Sequence, residues 1–118
     1  MSGSVNYKFA DKVFIAEISG YAELTLMEGL VEKFFEKLDE DFTGFVFNFA
    51  GMTLINSSAL GKLLEIISEG MGRDGVKILF CSIPATSKLG MASLGILDYV
   101  EEFASVEEAL LHLRQRAE

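Results

Sequence analysis

The stretch FVFNFAGMTLINSSALGKLL, residues 45–64, reads as a buried strand, a short loop and the start of a helix. Phe45-Val46-Phe47-Asn48-Phe49 is a short, nearly continuous apolar run, the pattern of a strand covered on both faces. Leu60, Leu63, Leu64, Ile67 and Met71 then recur at helical spacing. At the junction stand Asn56, Ser57 and Ser58. Asn and Ser begin helices because their side-chain oxygens accept a backbone N–H at the second or third helical position. Gly70, Gly72 and Gly75 supply stop signals for the same helix.

Upstream, Val5, Tyr7 and Phe9 alternate with polar residues, and Phe14, Ala16 and Ile18 alternate with Val13 and Ile15. Asp11 lies between the two runs, so an antiparallel hairpin is expected at the N-terminus. From Thr25 to about Asp39 the period changes: Met27, Leu30, Val31, Phe34, Phe35 and Leu38 make an apolar helical stripe between charged residues. Downstream, residues 76–81 (VKILFC) form a second buried-type strand, and Pro84 suits the first turn of a short helix through about Met91. A brief strand is expected from Tyr99 to Phe103. Ser105 and Glu108 then make a capping box for a last helix. Glu107 and Glu108 sit at its positive end, and Arg114 and Arg116 at its negative end. Strands alternating with helices predict an α/β fold: a mostly parallel sheet with an N-terminal antiparallel hairpin and about four helices. Residues 1–118 read as a single domain, with no repeat, linker or low-complexity segment.

Composition excludes several function classes. Half of the 118 residues are hydrophobic and 24% are charged, so a packed core rather than disorder is expected. No apolar run approaches the roughly 18 residues of a membrane span, so no membrane insertion is expected. The first residues lack the basic region and apolar stretch of a secretory signal. With one cysteine no internal disulfide can form, which points to the cytoplasm. A formal charge of −8 opposes a direct nucleic-acid partner. Asn56-Ser57-Ser58 matches a glycosylation sequon, which without export is chance.

Catalytic constellations are equally scarce. Ser58 is not in a G-x-S-x-G elbow, and the sole imidazole, His112, lies in the far C-terminal helix, where it reads as a surface residue. No metal-ligand set, P-loop or dinucleotide fingerprint occurs, so an enzyme is not expected and neither is a bound cofactor. Cys81, ending a buried strand, reads as core.

The triplet at residues 56–58 has two physical readings. It can simply begin a helix. It can also hold a switch, because free N–H groups and the positive end of the helix dipole stabilise an anion placed there. A phosphoserine adds about −1.5 to −2 charges and strong acceptor oxygens, altering the surface without melting the helix. Asn48, inside an apolar strand, would cost roughly 1–3 kcal/mol unpaired. It is expected to pair with loop backbone near Thr53 to Asn56 and so fix the approach to Ser58.

Taken with the element order, these residues resemble the STAS domain family of sulphate transporters and anti-sigma factor antagonists. That family carries D or N in the strand and D-S-S-G-L-G at the helix start. Here stand Asn48 and Asn56-Ser57-Ser58-Ala59-Leu60-Gly61. Gly20-Tyr21-Ala22-Glu23 is similar to its G-x-L-D element, with Glu23 in the acidic place, and Arg73-Asp74-Gly75-Val76 and the Ser105–Leu110 segment also match. Two positions depart from the pattern: Asn56 replaces the usual aspartate but preserves the cap, and Ala59 replaces a glycine, adding a methyl near the serine.

The resemblance implies a STAS-like fold and an anti-sigma factor antagonist that binds an anti-sigma factor kinase and releases the sigma factor. It places phosphorylation on Ser58, with a phosphatase to reset it, and the kinase brings the nucleotide. Glu23, Asn48, Asn56, Ser57, Ala59, Leu60 and Gly61 would support the phosphosite or the partner. Met91 and Leu94, after the fourth strand, either complete the core or touch the partner. The alternative is a non-phosphorylated STAS scaffold or ligand-sensing subunit of a transporter or stress-signalling complex. The hairpin edge could support a homodimer.

Overall fold

A computed structural model describes residues 3–117, with side chains through residue 115. The N-terminal hairpin pairs β1 (Ser4–Ala10) with β2 (Val13–Ala22), antiparallel. Asp11 and Lys12 turn the chain at φ 52° and 67°, the two left-handed residues that a two-residue hairpin turn needs. The chain continues through helix α1 (Leu24–Asp39), β3 (Gly44–Ile55), α2 (Ser57–Met71), β4 (Lys77–Cys81), α3 (Ala85–Ser93), a 3-10 turn (Ile96–Asp98), β5 (Glu101–Phe103) and α4 (Val106–Ala117). The sheet order follows the chain, β1-β2-β3-β4-β5, and every pairing after the hairpin is parallel. The expected α/β architecture is therefore present.

One large core lies between the sheet and α1, α2 and α3. Met27, Leu30 and Phe34 of α1 and Leu63 and Ile66 of α2 are fully buried against Phe14, Phe45, Phe47, Phe49 and Phe80 of the strands. The rings meet edge-on or tilted: Phe34 and Phe45 at 4.7 Å between centroids, Phe49 and Phe80 at 4.8 Å. Each such phenylalanine contributes roughly 1.5–3 kcal/mol through burial, beyond which favourable ring geometry adds a little. A smaller core on the other face joins Val46, Leu79 and Cys81 to Ala109 of α4.

Three local expectations are corrected. The segment between Phe49 and α2 is not a loop but the continuation of β3, because β2 runs far enough to pair with it up to Ala22 and Ile55. Twelve residues of β3 lie against ten of β2 through two register slips, at Glu17/Ser19 and Gly20/Tyr21. Pro84 is the N-cap of α3 rather than a member of its first turn, with ψ 141° holding it extended. His112 is half-buried, its Nε2 lying 3.2 Å from Glu101 and its ring 5.1 Å from that of Phe103. The Ser105 hydroxyl accepts the Glu108 N–H at 3.2 Å, the Ser105 side of the expected capping box. Arg116, placed by sequence at the negative end of α4, has its side chain outside the described residues. No helix among the described residues is long and apolar enough to cross a membrane.

Candidate functional site at the start of helix α2

The β2–β3 ladder delivers two helix starts to the same end of the sheet. α1 leaves β2 through Glu23 and α2 leaves β3 through Asn56. Asn56 is extended, at φ −90° and ψ 169°, and its N–H donates to the Ala22 carbonyl at 3.2 Å, tying the α2 cap to the end of β2. Its side chain makes two bonds. The carbonyl oxygen accepts the Ala59 N–H at 2.9 Å, and the amide nitrogen donates to the Tyr21 hydroxyl at 3.1 Å. The Ala59 N–H can only donate, so the amide orientation is fixed.

With Ala59 capped and the Leu60 N–H bonded to the Asn56 carbonyl at 3.0 Å, helix geometry leaves the Ser57 and Ser58 N–H groups as first-turn donors. Both serines are exposed, and the first turn of α2 carries no acidic residue. Ser58, the second helical residue, therefore presents its hydroxyl to solvent beside the positive end of a 15-residue helix. Gly61, one turn on, is exposed and would meet nothing within 4 Å if it carried a Cβ. The pair forms a flat, open surface at the spacing of residues that share a helix face.

The remaining expected site residues divide by burial. Ala59 is fully buried and Leu60 is 8% exposed, so the Ala59 methyl points into the core and not, as its place in the motif suggested, towards the serine surface. Leu60 also braces α3: a Cβ on Gly90 would lie 3.5 Å from its Cδ1. Met91 is fully buried, which makes it a core residue and removes it as a direct contact, whereas Leu94 is 47% exposed. Glu23 is exposed at the α1 N-cap and makes no side-chain cap bond.

Asn48 is the clearest correction. Its side-chain oxygen accepts the N–H of Ala50, two residues on, at 3.0 Å, rather than reaching the backbone near Thr53 to Asn56. The first register slip of β3 falls here, between the Glu17–Asn48 and Ser19–Gly51 pairs. The slip drops Ala50 from the ladder, and Asn48 takes up its N–H as a local side-chain bond. Tyr21 is the site residue that sequence reasoning misses. Nothing in the sequence points to it, because its role arises only when the Gly20 bend, at φ 73°, and the second slip bring its hydroxyl to Asn56.

Cys81 lies in the small core as expected, with its thiol pushed up to about 11, chiefly by burial and secondarily by Glu107. Among the described residues no group of three metal-ligating side chains comes together.

The sequence model of the STAS domain matches residues 4–109. No curated protein sequence matches the chain. Several solved structures share the fold. RsbS of Moorella thermoacetica, solved as a variant, aligns at a TM-score of 0.82 with 14% identity over 96% of this chain and 97% of its own. An anti-sigma factor antagonist from Mycobacterium paratuberculosis aligns at 0.80 with 14% identity, covering 96% and 95% of the two chains. The Bacillus cell-fate determinant SpoIIAA, in its phosphorylated form, aligns at 0.75 with 16% identity over 98% and 100%. At these identities the likeness is one of fold.

Proposed function

The chain belongs to the STAS domain family, and from that membership we propose that it is an anti-sigma factor antagonist whose partner binding is switched by phosphate on Ser58. The observation that carries this reading is the exposed Ser58 in the first turn of α2, beside first-turn N–H donors and with no acidic residue in that turn. The known anti-sigma factor antagonists of the same fold support it.

Unmodified, the α2 start presents a nearly neutral surface of Ser57, Ser58 and Gly61. An anti-sigma factor kinase docks there and gives up its sigma factor. The Ser58 oxygen then takes the terminal phosphoryl group of the kinase's ATP, ADP leaves, and the hydroxyl proton passes to a base of the kinase. The product sits where the helix dipole and N–H groups stabilise its charge, so the fold survives. The partner meets about −1.5 to −2 of new charge in a contact that was nearly neutral, and desolvating that charge is enough to release the partner. A cytoplasmic phosphatase resets the serine.

The test is coexpression with the anti-sigma kinases of the same source, followed by intact-mass analysis and site mapping. One added phosphate on Ser58, absent in Ser58→Ala, supports the switch. A kinase that binds the chain but never modifies it would instead make this a non-phosphorylated STAS module.

A further inference from the structure

The sheet face opposite α1 and α2 is covered by α4 alone, and incompletely. Strand alternation sends Val13 and Ile15 of β2 and Lys77, Leu79 and Cys81 of β4 to this face. α4 lays Val106, Ala109, Leu110 and Leu113 over it, yet Val13 and Ile15 stay partly exposed. Between α4 and the hairpin a cleft of about 620 Å³ remains, lined by Val13, Ile15, Gly44, Leu110, Leu113, Lys77 and Arg114. That size falls in the roughly 300–1,000 Å³ range of small-molecule sites. Val13, Gly44 and Lys77 form one row across the sheet. A Cβ on Gly44 would come within 3.0 Å of Leu113 Cδ1 and 3.3 Å of Val13 Cγ2, so glycine here lets Leu113 of α4 seat close against the sheet beside the cleft.

The charges of the cleft run against those of the chain, which has 18 acidic and 10 basic residues. Lys8, Lys33, Lys37, Lys62 and Lys88 all lie in ion pairs with glutamates. Among the described residues Lys77 and Arg114 have no ion-pair partner, as is also true of Lys12 and Arg73, but only Lys77 and Arg114 line this apolar cleft. Asp11 also lines it, exposed on the hairpin turn, and leaves the three charges net positive. A purely polar anion would leave the apolar walls facing water, and a cationic ligand would meet two uncommitted cations.

We propose that this cleft binds an acyl anion, its aliphatic tail on Val13, Ile15, Leu110 and Leu113 and its carboxylate against Lys77 and Arg114. The site lies at the N-terminal end of β3, whereas Ser58 follows its C-terminal end, roughly 30 Å away along the strand. Ligand and phosphosite thus occupy opposite ends of the molecule.

Laurate, added below its micellar concentration to the full chain, is the probe, followed by calorimetry and by NMR shifts. The expected result is saturable one-to-one binding with shifts at Val13, Ile15, Gly44, Leu110 and Leu113. Replacing both cations (Lys77→Gln with Arg114→Gln) should weaken it by about tenfold or more, equivalent to about 1.4 kcal/mol. Arg73→Gln, outside the cleft, should bind as the parent does. Arg114 is exposed and Lys77 partly so, and a thermal melt of each variant verifies folding. The proposal is overturned by shifts that do not saturate or map elsewhere, by equal affinity for dodecanol, by unchanged affinity in the double variant, or by a response only to phosphatidylglycerol vesicles.

Discussion

The amide nitrogen of Asn56 donates to the Tyr21 hydroxyl at 3.1 Å, across 35 residues of sequence. One side chain therefore caps α2 through its oxygen and ties that cap to the end of β2 through its nitrogen. The serine that follows inherits its position from this double anchor. An aspartate in place of Asn56 would accept from both Ala59 and Tyr21. The asparagine reverses the second bond and leaves the tyrosine proton uncommitted to it.

The anchor should behave as a coupled pair. Asn56→Ala is expected to cost about 1 kcal/mol for the lost cap. Tyr21→Phe, which strands the amide nitrogen, should cost about 1 kcal/mol. In urea denaturation the double variant should lose less than the sum of the two, because both remove the same bond. Strict additivity would mean that the bond contributes nothing.

Charge at position 58 should separate stability from binding. Ser58→Ala is expected to change stability by less than about 0.5 kcal/mol, since the side chain is exposed. Ser58→Asp should stabilise α2 by about 0.3–1 kcal/mol at low salt, an effect that fades as ionic strength rises. Towards the anti-sigma kinase the order reverses, with the aspartate binding more weakly than the alanine in a titration by calorimetry. Equal affinities would remove the electrostatic release step.

Gly61 offers the same separation without charge. It lies inside α2 with open space around it, so Gly61→Ala should raise stability by up to about 1 kcal/mol. The added methyl stands one turn from Ser58 on the proposed docking surface and should lower partner affinity. Higher melting temperature with undiminished binding would place the partner elsewhere.

Cys81 sets a limit at high pH. Its thiol is raised in the folded chain from 9.0 to about 11, chiefly by burial. The unfolded thiol loses its proton first, so its contribution to stability is complete below pH 9 and is lost as pH rises through about 11. Denaturation at pH 8 and pH 10.5 should show this loss, and Cys81→Ala should reduce the pH slope. A thiol reagent at pH 8 should react only as fast as the chain opens.

Much of the fold is legible along the chain. The alternation of Val5, Tyr7 and Phe9, the helical stripe from Met27 to Leu38 and the Ser105 cap each report on neighbours within a few residues, where period and side-chain oxygens act directly. Asn56 is legible in the same way, as a cap. The end of β3 is not, because Ala50–Ile55 has no strand signature of its own and is held extended by β2. The local pattern leads Asn48 forward along the chain, but the slip in register gives it a nearer N–H.

The sequence by itself determined the element types, the parallel α/β class and the exposed serine at a capped helix start, since each depends on local periodicity and on which side chains can satisfy the next few N–H groups. Only the tertiary structure decided that Tyr21 holds Asn56, that Met91 and Ala59 are buried and that Lys77 and Arg114 share a cleft beside α4. Those relationships depend on sheet register and on how far one helix covers a face. Both are set by contacts between residues distant in sequence, which no local pattern encodes.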